Sequence, residues 1–156
     1  MLDGTTGDLE IESLSIRIGS QFTRQPFLAA ALAEHARVLV QNEPYHTFSV
    51  GSYELAGLSL SVSLGFYGEQ LETIGLFHDA KALGSSWADW SEEKERQRKQ
   101  IHDQWLRALT GHASHVYTWG EIWSGFDPKS GSSSIVIQYS WQGKPWRRQA
   151  RRVTGS

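Results

Sequence analysis

Hydrophobic and polar positions alternate first between residues 13 and 18. Leu14, Ile16 and Ile18 lie on one side, and Ser13, Ser15 and Arg17 on the other. That is the period of a half-buried strand, expected within residues 8–18. The period then changes. Phe27, Leu28, Ala31, Leu32 and His35 fall at helical spacing, with Thr23 as a cap and Pro26 in the first turn, which predicts an amphipathic helix over residues 24–36. Val38, Leu39 and Val40 begin a strand. Asn42-Glu43-Pro44 is turn chemistry, and His46, Phe48 and Val50 resume the alternation. Residues 58–67 give the clearest strand. Leu58, Leu60, Val62, Leu64 and Phe66 alternate with Ser59, Ser61, Ser63, Gly65 and Tyr67. Gly68-Glu69-Gln70 turns the chain into a strand at 71–77, and so short a connection implies an antiparallel hairpin.

A second helix is expected over residues 87–109. Asp89 or Ser91 can cap it, Glu92–Arg96 and Glu95–Lys99 are favourable i,i+4 pairs, and Gly111 can stop it. Its apolar seam of Trp87, Trp90, Ile101, Trp105 and Leu109 is interrupted at Lys94 and Arg98, so a solvated middle with pinned ends is expected. Two last strands follow near 115–124 and 133–141, joined by the turn Asp127-Pro128-Lys129-Ser130-Gly131. The expected fold class is α+β: a single antiparallel sheet of about five to seven strands with two helices packed on one face. Residues 1–143 are expected to form one domain, and residues 144–156 a basic tail.

Composition alters this picture in two ways. All seven tryptophans lie between residues 87 and 146, so the second half carries a large aromatic core, a recognition surface, or both. Charge is split: residues 1–78 hold three Lys/Arg against nine Asp/Glu, and residues 79–156 hold twelve against eight. Such a split can steer a charged partner, unless folding interleaves the halves. Cysteine is absent, which excludes disulfides and thiolate chemistry. The first residues have neither a basic nor an apolar stretch of secretory type, and no run is long enough to span a membrane, so a cytoplasmic protein is expected.

Candidate chemistry is sparse. His112, His115 and Glu121 are too few for a zinc site without an HExxH or cysteine pair, so neither metal nor cofactor is expected. His78-Asp79 and His102-Asp103 are adjacent pairs whose side chains diverge on a strand or helix. There is no Gly-x-Ser-x-Gly elbow. Glu121 and Asp127 beside aromatics could serve a sugar site, but a turn residue and a strand residue explain them as well. Lys94, Arg96, Arg98 and Lys99 could contact phosphates. Interleaved Glu92, Glu93 and Glu95, and a pI of 6.3, disfavour nucleic acid.

Tyr117-Thr118-Trp119-Gly120-Glu121 through Asp127-Pro128-Lys129-Ser130-Gly131, with the size, the lopsided charge and the α+β plan, resembles the small immunity proteins that bacteria use against toxins delivered between cells. The resemblance implies stoichiometric occlusion of a cognate toxin, without catalysis. Tryptophan and arginine are enriched at interface hot spots, so the expected partner-binding residues are Trp119, Glu121, Trp123, Phe126, Asp127, Lys129, Arg96 and Lys99. Two rivals stand beside it. One is a small enzyme or ligand-binding domain with a tryptophan-lined pocket; the other is a nucleic-acid adaptor.

Overall fold

In the computed structural model, residues 1–29, 31–80 and 90–140 are described. The expected tail at 144–156, with Trp87, Asp89, Trp141 and Trp146, lies outside them.

The fold is predominantly β, which corrects the expected sheet with two packed helices. Seven strands form one antiparallel sheet: β3 (Arg37–Asn42), β4 (Tyr45–Leu55), β5 (Leu58–Tyr67), β6 (Gln70–His78), β7 (His115–Val116), β8 (Gly120–Asp127) and β9 (Ser132–Tyr139). Their order is β3-β4-β5-β6-β9-β8-β7. A separate two-stranded sheet pairs β1 (Leu9–Ile11) with β2 (Ile16–Ile18). Among the described residues one long helix is present, α2 (Glu92–Thr110).

The expected helix at 24–36 is instead a short α1 (Arg24–Ala29) followed by a 3₁₀ turn at Ala31–His35. Phe27 and Leu32 both reach the core. Five positions apart, they would stand about 140° around an uninterrupted α-helix. Division of the run lets both turn inward. Phe27 then meets Phe48 and Phe66 at centroid distances of 5.0 and 5.5 Å.

The run at 8–18 is also divided. A 3₁₀ turn at Glu12–Leu14 and a left-handed Ser15 (φ 52°) fold it into the β1–β2 hairpin. In contrast, β5 coincides with the alternating segment. Leu60, Val62, Leu64 and Phe66 are all buried, and the strand pairs along its length with β4 and β6. Register carries the apolar side across the sheet through Leu64↔Ile74, Ile74↔Ile137 and Ile137↔Ile122. The hairpin β1–β2, α1 and α2 all add to the core on this side of the sheet.

After β6 the chain crosses through α2 to the far edge, and β9 returns beside β6. Gly120 begins β8 where a Cβ would lie 2.0 Å from the Gln138 carbonyl oxygen. Any side chain there would push β8 off β9, so the close approach requires glycine.

Candidate partner-binding surface

α2 starts at Ser91, whose hydroxyl accepts the Lys94 N–H at 3.1 Å. It ends at Gly111, whose N–H donates to the Arg107 carbonyl at 2.9 Å. Glu92, Glu93 and Glu95 occupy the first turn, where the helix dipole favours acids. The inward stripe is Glu95, Arg98, His102, Asp103, Trp105 and Leu106. The middle of α2 is therefore buried, where the sequence suggested a solvated one. The interruption at Arg98 is a change of chemistry within one continuous stripe.

Each polar member of the stripe has a defined role. Arg98 is 1% exposed; it pairs with Glu95, donates to the His78 carbonyl at 2.9 Å, and covers the Phe77 ring at 4.1 Å. Glu95 also accepts the Ser133 N–H at 2.8 Å, while its backbone carbonyl accepts the Ser133 hydroxyl. Asp103 joins Lys99 at 2.7 Å to the Ser124 hydroxyl at 2.7 Å. His102 accepts the His78 N–H through Nε2 at 3.0 Å. Burial lowers the His102 pKa to about 4, helped by the Arg98 charge. Such groups tie the helix to β6, β8 and β9, and Trp105 ties it to β4 through the Leu55 carbonyl at 2.9 Å.

The histidine pairs noted in the sequence meet across the fold instead of acting as adjacent dyads. His78 Nδ1 lies 2.8 Å from the Ser59 carbonyl oxygen. Asp79 accepts hydroxyls from Ser52 at 2.5 Å and Ser59 at 2.9 Å, and the two bonds hold its pKa below the usual value against the opposing effect of burial. These contacts fasten the ends of β4, β5 and β6.

The sheet divides the expected partner-binding residues. Glu121 (1% exposed) and Trp123 (8%) are buried on the face away from α2, and the Trp123 ring lies where a Gly125 side chain would stand. Trp119 is half-buried. It donates to the Gly4 carbonyl at 3.0 Å and stacks on Tyr117 at 5.0 Å, so it braces the N-terminal segment.

Arg96 is exposed beside Glu92 and Glu93, each 3.7 Å away. Lys129 is exposed in the β8–β9 turn, and its N–H is held by the half-buried Asp127 at 2.9 Å. Phe126 is half-buried on the α2 side of β8, opposite Ser133. The Glu95–Ser133 bonds and the Trp90 donation to the Gly131 carbonyl bring the start of α2 to that turn. Arg96, Phe126, Asp127 and Lys129 thus belong to one end of the molecule. Lys99 lies one turn further along α2.

The opposite end of α2 holds a feature the sequence did not suggest. A cleft of about 710 Å³ opens between the N-terminal segment, Leu109-Thr110 and residues 115–118. Asp3, Asp8, Glu10 and Arg17 line one wall. His112 and His115 line the other, stacked at 3.9 Å, with Tyr117 edge-on to His115. The i,i+3 spacing of the two histidines was visible, but the acidic wall arrives from 100 residues away. Glu121 pairs in register with Val116 while His115 pairs with Ile122, so Glu121 projects to the other face of the sheet. Among the described residues, no group of three or more His, Asp or Glu is placed to hold a metal ion.

No protein-family model and no curated protein matches the chain. A likeness exists at the level of the fold. The chain is similar to a chain of the solved complex "Rhs1-CT in complex with cognate immunity protein RhsI1", with a TM-score of 0.56 and 14% identity. The match covers 97% of this chain and 95% of that one, so the whole plan is shared. No helix among the described residues is long and apolar enough to cross a membrane.

Proposed function

We propose that this chain is an immunity protein that binds a cognate toxin in the cytoplasm and neutralises it by stoichiometric occlusion. The observation that carries the reading is the end-to-end fold likeness to a chain of a toxin–immunity complex. The polar network of α2 supports it. Glu95, Arg98, His102 and Asp103 are engaged in fastening helix to sheet, which gives a rigid scaffold of the kind that occlusion needs.

The contact surface in this reading is the end built from Arg96, Lys99, Phe126, Asp127 and Lys129. Glu121 and Trp123 then pack on the other face of the sheet, and Trp119 braces the N-terminal segment at the opposite end. Charged rim groups set association rate and specificity more than raw affinity.

The test is co-expression with a candidate toxin domain, such as one encoded in the same operon if the genome holds one, with cell survival and titration calorimetry as readouts. Protection and a 1:1 complex are expected. Arg96→Glu combined with Lys129→Glu should slow association without altering the melting temperature. Absence of both complex and protection would overturn the proposal. The rival reading, a ligand-binding domain, rests on the cleft lined by His112, His115 and Tyr117. It would gain support if a small acidic or basic ligand shifted the imidazole resonances of His112 and His115.

A further inference from the structure

β3 is an edge strand, and all six of its residues are exposed. Val38, Leu39 and Val40 are 52%, 51% and 43% exposed, and they are consecutive, so apolar surface is presented on both faces of the edge. Natural edges are commonly protected by central charges, proline or bulges. β3 has no central charge. It has one bulge, between Val38 and Val40, and the pairing of Val40–Asn42 with Thr47–Tyr45 is regular beyond it. The other edge of the sheet, β7, is only two residues long and is flanked by a turn.

The charges at the ends of this strand are complementary. Arg37 opens β3 and makes no ion pair among the described residues. Glu43 follows β3 directly; its carboxylate is 79% exposed and uses one oxygen on His46 Nε2 at 2.8 Å. In an antiparallel pairing about a two-fold axis at Val40, Arg37 of one copy faces Glu43 of the other, twice. In the same pairing Val40 meets Val40 at the axis, while Val38 and Leu39 of each copy lie across from Asn42 and Gln41 of the other. Such an isologous contact needs one surface to complement itself, and this strand does so in charge at its ends and through the exposed Val40 at its axis.

We propose that β3 is the self-association surface of this protein, joining two copies edge to edge into one continuous antiparallel sheet. The inference is independent of the toxin reading.

Sedimentation equilibrium over a concentration series tests it. The mass should approach twice the 17.5 kDa of the chain. Val40→Lys places a charge at the axis on an already exposed side chain. It should leave the circular dichroism and melting temperature unchanged while returning the mass to one chain. Arg37→Glu alone should raise the dissociation constant roughly tenfold, and Arg37→Glu with Glu43→Arg should restore it. Because the chain has no cysteine, Val40→Cys should oxidise to a covalent dimer only if the axis passes near that residue. A single-chain mass throughout the series would overturn the proposal. So would a dimer that ignores Val40→Lys, or one that the double charge reversal fails to restore. A monomer whose toxin binding is abolished by Val40→Lys would assign the edge to the toxin instead, and would equally overturn it.

Discussion

Acidification should destabilise this protein through His102. The ring is fully buried, and Nε2 accepts the His78 N–H, so the neutral proton resides on Nδ1. That Nδ1 has no hydrogen-bond partner. A second proton would put a cation into a dry site already facing Arg98, Lys99 and His78, with only Asp103 in opposition. Burial is the largest cause, and the pKa falls from 6.5 to about 4. From about one unit above 6.5 upward the imidazole is essentially neutral in both folded and unfolded chains and contributes no pH dependence. Between 6.5 and 4 the unfolded chain takes up the proton and the folded chain does not. Stability is therefore lost as pH falls, at up to about 1.4 kcal/mol per pH unit and about 3 kcal/mol over the window. Urea denaturation at pH 7.5, 6.5, 5.5 and 5.0 measures the slope. His102→Gln removes the titration and retains an acceptor for the His78 N–H. The native protein should lose about 1.5 kcal/mol more than this variant between pH 6.5 and 5.0. The imidazole resonance of His102 in the folded native protein gives a direct reading that needs no variant. Titration of that resonance near 6.5, or equal slopes for the two proteins, would refute the reasoning.

Two further outcomes follow from the packing. Leu60→Asp puts a carboxylate at a fully buried core position, and should cost about 4 kcal/mol or more; an unchanged melting temperature would show that Leu60 does not face the core. Glu95→Ala takes a carboxylate from the buried Arg98 and an acceptor from the Ser133 N–H, and should cost about 3–5 kcal/mol. Glu95→Gln keeps the Ser133 acceptor and should recover part of that loss in the same denaturation assay.

Local signals carried a good deal of the fold. The unbroken alternation of residues 58–67 identified β5, and its short turn made β6 antiparallel, because a hairpin is a local object. Ser91 and Gly111 bounded α2 as capping chemistry requires, with the start at Glu92 rather than at residue 87. The turn at Asp127–Gly131 joined β8 to β9 as its proline and glycine imply. Periodicity failed at residues 24–36. A helical spacing of apolar side chains says which residues seek the core, but not whether one straight helix can deliver them all. Phe27 and Leu32 needed a break to do so.

The candidate surface was less legible, for the same kind of reason. The sequence by itself determined which residue types were on hand: seven tryptophans in the second half, no cysteine, and a charge-rich helix. It could not tell which side of a strand would be covered. Tertiary structure decided that Glu121 and Trp123 are interior, that Arg98 and Glu95 form part of the core seam, and that β3 is left as an edge. Burial of a charge depends on partners distant in the chain. Glu95 is held by Ser133 and Arg98 by the His78 carbonyl, and only the folded chain brings those groups within hydrogen-bonding distance.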